Sequence, residues 1–108
     1  MFGSPKTKDL TAQQVKAALD AQEILLVDVR EPDEFAAERI AGAVNVPLSS
    51  FDPKGLPDAG GKSVVFQCGS GKRSATAVGH CQKAGHALDT HLTGGITAWK
   101  AAGLPTVR

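Results

Sequence analysis

Ile24 to Val29 is a continuous apolar run broken only by Asp28. An unbroken run of this length predicts a strand covered on both faces, as in a parallel sheet. Ser63 to Cys68 reads as a second buried strand, and Ala43 to Val46, stopped by Pro47, and Ala87 to Leu92 as shorter ones. Helical patterns lie between them. Leu10 followed by Thr11-Ala-Gln-Gln14 is a hydrophobic staple with a capping box, opening a helix whose apolar stripe is Val15, Ala18 and Leu19. Glu31-Pro32-Asp33-Glu34 puts a proline and three carboxylates in one first turn, where the missing N–H is harmless and the helix dipole favours negative charge. That helix is expected to run to about Glu38. Ser74 to Lys83 has helical composition with Gly85 as its C-terminal cap, and Gly94-Gly95 turns into a last helix over Ile96 to Ala102. Strand and helix alternate, so the class is α/β with a central, mostly parallel sheet. Ligands of such sheets bind beyond the carboxyl ends of the strands.

The chain of 108 residues is read as one domain from residue 9 onward, preceded by a flexible polar head over residues 1–8. Asp52 to Gly61, with two prolines and three glycines, is a surface loop. No apolar run approaches the roughly 18 residues of a membrane span, and Met1 to Pro5 lacks the build of a secretory signal. The expectation is a soluble protein with no membrane partner. Two cysteines, Cys68 and Cys81, are too few for a secreted disulfide framework and point to a reducing, cytoplasmic compartment. A net charge of +1 argues against a nucleic-acid partner. The charge is unevenly divided, however: 6 basic and 10 acidic residues over 1–61 give −4, and 6 basic and 1 acidic over 62–108 give +5. The second half is suited to an anion.

Cys68-Gly-Ser-Gly-Lys-Arg-Ser74 joins a buried strand to a helix. Its small residues let the backbone curl so that successive N–H groups point inward as an anion-binding nest. At the bottom, Cys68 would lie among amide dipoles, a helix N-terminus and the cations Lys72 and Arg73, each favouring thiolate over thiol. A free cysteine is more often a small packed hydrophobe. The combination of strand end, glycines, cations and helix start favours a nucleophile instead. A phosphate-binding loop fits poorly, because Gly71-Lys72 lacks the full G-x-x-x-x-G-K-[ST] spacing.

Three blocks of this chain resemble the single-domain rhodaneses, sulfurtransferases that carry sulfur as a cysteine persulfide. Asp28-Val-Arg-Glu-Pro-Asp-Glu-Phe35 with Ile40-Ala-Gly-Ala-Val-Asn-Val-Pro47 resembles the first signature of that family. Cys68 to Ser74 resembles its active-site loop, and Gly94-Gly-Ile-Thr-Ala-Trp-Lys-Ala-Ala-Gly-Leu-Pro105 its closing segment. The resemblance implies a rhodanese-like three-layer fold, the sheet flanked by helices. It also implies attack by Cys68 on the sulfane sulfur of a donor such as thiosulfate, then transfer to cyanide, a thiol or a protein acceptor. Gly69, Ser70, Gly71, Lys72, Arg73 and Ser74 would hold the terminal sulfur, and neither metal nor organic cofactor would be needed.

Two features depart from the family pattern. Arg39 stands where the family commonly has His, and Gly69 and Ser70 occupy early loop positions where thiosulfate-preferring members often carry cations. Phosphatases and arsenate reductases of similar fold use a longer C-x5-R loop for a larger oxyanion, whereas Cys68 to Arg73 is C-x4-R. A non-catalytic regulatory or binding module is the other alternative.

Asp28 and Arg30, at the end of the first long strand, can orient substrate or the loop but read more simply as a structural pair. Lys72 and Arg73 can face either a donor anion or water. Cys81, about 10 Å along a helix starting near Ser74, is too far to pair comfortably with Cys68 and reads as core. His80, His86 and His91 lack metal-ligand spacing and read as surface or packing residues. Trp99 reads as core.

Overall fold

A computed structural model describes residues 6–108. Most of the polar head, residues 1–5, lies outside the described residues. Five strands, β1 (Lys8–Leu10), β2 (Ile24–Asp28), β3 (Val44–Asn45), β4 (Ser63–Gln67) and β5 (Thr90–Leu92), form one sheet in the order β1-β5-β4-β2-β3. Every pairing is parallel. Four helices connect them: α1 (Ala12–Asp20), α2 (Pro32–Ala37), α3 (Lys72–Lys83) and α4 (Gly95–Ala101). The parallel α/β class read from the apolar runs is the one observed.

Alternation along the central strands separates two cores. Ile24 and Leu26 of β2 and Val65 of β4 join Val15, Leu92, Ile96 and Trp99 in a cluster that α1 and α4 cover. Val27 and Phe66, the next residues along, turn the other way and meet Ala77, Val78 and Cys81 of α3. The registers Leu26↔Val65 and Val27↔Phe66 keep each side chain beside a neighbour on its own face. Residues facing packed layers on both sides of a strand are mostly apolar, hence the near-continuous pattern of β2, interrupted only by Asp28 at its end.

Local signals place the helix starts. Thr11 Oγ1 accepts from the Gln14 N–H at 3.1 Å and Gln14 Oε1 from the Thr11 N–H at 2.8 Å, completing the expected capping box. Pro32 stands in the first turn of α2, with Asp33 and Glu34 beside it. Gly85, at φ +84°, follows α3 as anticipated.

Several boundaries differ from the sequence reading, and one strand is missing from it. Helix α3 begins at Lys72, two residues before Ser74, because Gly71 at φ +102° serves as its N-cap. Helix α4 likewise starts one residue early, at Gly95, after Gly94 at φ +75°. Strand β5 is confined to Thr90–Leu92, since its partner β1 begins only at Lys8, paired with Thr90. Strand β1 itself is not legible: three residues at a sheet edge, mostly exposed, carry no periodicity to detect. Among the described residues no helix is long and apolar enough to cross a membrane.

Leu26 is wholly buried between central strands and the α1/α4 layer. Truncation to Ala is expected to cost about 3 kcal/mol, because a packed site relaxes only partly around the cavity. Urea denaturation of Leu26→Ala, beside exposed Val44→Ala as a control that should move little, measures it.

Candidate active site

The turn after β4 is shaped by what it rests on. Ile96 N–H donates to the Cys68 carbonyl at 2.8 Å and Thr97 N–H to the Gly69 carbonyl at 3.1 Å, so the loop lies on the first turn of α4. Gln67 Nε2 also donates to the Cys68 carbonyl. This approach requires glycine at 95: a Cβ there would stand 2.2 Å from the Cys68 carbonyl oxygen, on a backbone at φ +58°. Gly71 packs on the same turn, its missing Cβ position 3.2 Å from the Gly94 nitrogen. The Gly94-Gly95 pair, read from sequence only as a turn into a helix, is therefore also the seat of the cysteine loop.

Cys68 is fully buried, with Val27, Phe66, Ala77 and Val78 in its cluster. Gly71 N–H donates to Sγ at 3.0 Å, one amide of the nest that the loop composition leads one to expect. Ser74 Oγ lies 3.6 Å from Sγ. This hydroxyl also meets the Gly71 carbonyl at 3.1 Å and His91 Nδ1 at 2.7 Å. His91 Nε2 is 3.0 Å from Asp9 Oδ1. The turn after β4, helix α3 and strands β5 and β1 thus contribute to one polar chain that starts at the buried thiol.

His91 and Asp9 are the residues that the sequence reading missed. His91, taken there as surface or packing, is buried at 6% exposure and hydrogen-bonded at both ring nitrogens. The parallel β1·β5 pairing, Asp9↔His91, makes them neighbours across 82 residues of sequence. His80 and His86 are exposed, and His80 stacks on Phe51. Among the described residues no group of three or more His, Cys, Asp or Glu side chains is placed to hold a metal ion.

The two loop cations divide. Lys72 is exposed. Arg73 reaches back across Gly69 to Glu34 of α2, its Nη1 and Nη2 donating to the carboxylate at 2.6 and 3.1 Å. The Arg73 guanidinium holds the Glu34 carboxyl down at about 2 against an ordinary 4.5, with the Glu31 N–H assisting. Glu34 in turn raises the Arg73 pKa.

Asp28 and Arg30 form the structural pair expected from their position. Arg30 Nε lies 3.1 Å from both Asp28 oxygens, Nη2 lies 2.8 Å from Oδ2, and both residues are buried. Arg30 Nη2 also donates to the Glu38 carbonyl at 2.7 Å, fixing the C-terminal end of α2. The pair is linked to the loop through α2, whose Glu34 grips Arg73. Arg39, the departure from the family pattern, lies over the Phe35 ring at 5.3 Å. Cys81 is packed in the α3 core, and burial pushes its thiol pKa up. Trp99 is buried, its Nε1 donating to the Pro105 carbonyl at 2.8 Å.

The rhodanese-like domain family matches residues 11–102. The chain belongs to the rhodanese family. A sulfurtransferase from Allochromatium vinosum is 35% identical over 88 residues, 82% of each chain. An uncharacterized protein from Synechocystis is 47% identical over 105 residues, covering 97% of this chain, which spans only 55% of that relative's length. Among solved structures, a single-domain sulfurtransferase from Saccharomyces cerevisiae superposes with a TM-score of 0.73 at 30% identity, covering 94% of this rhodanese domain and 95% of the yeast chain. A Rhodopseudomonas palustris protein described as a possible tyrosine phosphatase gives 0.73 at 29% identity, covering 94% and 84% of the two chains. The parallel sheet with helices on both faces is the rhodanese-like fold that the three sequence blocks imply.

Gly95→Ala forces a Cβ into the Cys68 carbonyl and a non-glycine residue into positive φ, and is expected to cost at least about 2 kcal/mol. Its urea midpoint measures this. The Glu34–Arg73 pair makes a separate prediction. A carboxyl depressed from 4.5 to about 2 lends stability that is complete above 4.5 and lost as pH falls through 2. Glu34→Gln should therefore flatten the decline in stability over that interval and leave its slope near neutrality unchanged. Urea midpoints at a series of pH values give the comparison.

Proposed function

We propose that this domain is a sulfurtransferase that carries a sulfane sulfur on Cys68. The observation that carries the reading is the setting of Sγ: at the end of β4, beneath a short loop, with the Gly71 N–H aimed at it from 3.0 Å. A thiolate there attacks the outer sulfur of thiosulfate; the S–S bond of the donor breaks, sulfite leaves with the electron pair, and Cys68 becomes a persulfide anion. Cyanide or a thiolate acceptor then takes the outer sulfur, and the Cys68 thiolate is regenerated. Charge balances in both half-reactions without a redox partner. The amides of Gly69 to Ser74 are the groups available to stabilise the persulfide charge, and fixed dipoles in a site shielded from water do this at little reorganisation cost. The relatives named as sulfurtransferases support the same chemistry.

The phosphatase reading draws on the Rhodopseudomonas neighbour and is the weaker one. A phosphoryl group needs a guanidinium fork turned toward its oxygens. Here the Arg73 fork is occupied by Glu34, and the Cys68 residue is wholly buried under a C-x4-R loop. A single added sulfur is the smaller demand on that space.

Intact-protein mass after incubation with thiosulfate tests the proposal. The wild type should gain one reducible sulfur and turn thiosulfate and cyanide into thiocyanate. Cys68→Ser should abolish both, and Cys81→Ser should retain most of each, since its thiol sits in the α3 core. Hydrolysis of an aryl phosphate at a rate comparable to sulfur transfer, and lost with Cys68, would favour the phosphatase instead.

A further inference from the structure

Sulfur transfer begins with a thiolate, and the mechanism above leaves open which group takes the thiol proton. His91 is the buried titratable side chain best placed for it. Its ring lies on the α3 side of the sheet, in register with apolar Phe66 of β4, and its Cε1 comes 3.8 Å from the missing Cβ position of Gly71. The groups facing it are Asp9 from β1, Ser74 from α3 and, beyond Ser74, the Cys68 thiol. Arg73 exerts its charge on Cys68 but is bound to Glu34.

The proton positions follow from the partners. Thr7 Oγ1, donating at 2.6 Å, and then His91 hold the Asp9 carboxyl below its ordinary range, so near neutrality it is an acceptor only. Nε2 of His91 must then carry a hydrogen. In the neutral ring Nδ1 is a bare acceptor, and the Ser74 hydroxyl, 2.7 Å away, donates to it. The oxygen lone pairs of Ser74 are left for the Cys68 S–H, 3.6 Å away.

We propose that His91, oriented by Asp9, draws the proton from Cys68 through the Ser74 hydroxyl. The S–H bond breaks as that proton bonds to Ser74 Oγ, while the Ser74 O–H bond breaks as its proton passes to Nδ1. A thiolate and an imidazolium replace a thiol and an imidazole, the hydroxyl is regenerated and the net charge is unchanged. The thiolate keeps the Gly71 N–H, the imidazolium faces the Asp9 carboxylate, and the Ser74 hydroxyl turns to the Gly71 carbonyl, 3.1 Å away, or to sulfur. His91 and Asp9 are positioning residues in this scheme, acting on sulfur through Ser74. The use made of the thiolate rests on the sulfur-transfer reading; its formation does not.

The test is iodoacetamide alkylation of Cys68 against pH, read by intact mass, in a Cys81→Ser background with a single thiol. Ser74→Ala and His91→Asn should each slow alkylation at neutral pH by about tenfold and rejoin the parent rate at alkaline pH, where hydroxide removes the proton. Asp9→Asn should act in the same direction but less, and the Ser74→Ala/His91→Asn double variant should be no slower than the slower single. An unshifted profile in either single variant, equal slowing at every pH, or losses that multiply in the double variant would overturn the relay. A measurement on the unsubstituted His91 guards against misfolding: its Nδ1 nitrogen resonance should change over the pH range in which Cys68 gains reactivity, and should titrate differently once Cys68 is alkylated. Identical titration before and after would also overturn it. Alkylation needs no sulfur donor, so a shifted profile in a protein that gains no sulfur from thiosulfate would uphold the relay and count against sulfur transfer.

Discussion

The Cys68 carbonyl lies closer to Gly95 than any side chain permits, and the geometry of the site hangs on that approach. A main chain can come so near only where no Cβ intervenes. Because the gap is closed, the first N–H groups of α4 satisfy the Cys68 and Gly69 carbonyls. Carbonyls turned toward α4 free the other side of the loop, and the Gly71 N–H is directed to sulfur. The loop therefore depends on a helix that follows it by more than twenty residues, brought alongside by the β4·β5 pairing.

A second restraint comes from the opposite flank. Arg73 stands where a substrate cation is expected from sequence position, but its charge is spent on Glu34, and Glu34 is held on a helix that Arg30 and Asp28 anchor from the end of β2. The chain Asp28–Arg30–α2–Glu34–Arg73 fixes the rear of the loop as Gly95 fixes its front. An ion pair as exposed as Glu34–Arg73 adds only a modest stability in water, the part that is lost in acid. Its consequence here is geometric, since it decides where the guanidinium points. A fork committed to a carboxylate is not open to three phosphoryl oxygens, which supports the small-sulfur reading over the phosphatase one.

Apolar pattern and turn chemistry sufficed for much of this. The buried runs at Ile24 and Ser63 read as central strands of a doubly covered sheet, because residues packed on both faces are mostly apolar, with Asp28 and Gln67 buried at the strand ends as the exceptions. Thr11-x-x-Gln14 and Glu31-Pro32 marked helix starts through interactions confined to four residues, which sequence displays directly. Cys68 stood out for the same reason: strand end, glycines and helix start are contiguous in the chain.

What depended on distance was decided by tertiary structure. Asp9 and His91 are adjacent only because a three-residue edge strand with no periodic signal pairs in parallel with β5. Arg73 found Glu34 39 positions away, and Gly95 found Cys68 across the sheet. The sequence by itself determined the fold class and the family and singled out Cys68 as the candidate nucleophile, since these rest on local backbone preferences, contiguous motifs and which residues water excludes. It did not determine how the thiol is surrounded, because hydrogen bonds between side chains far apart in sequence leave no pattern in either one until the sheet register brings them within reach.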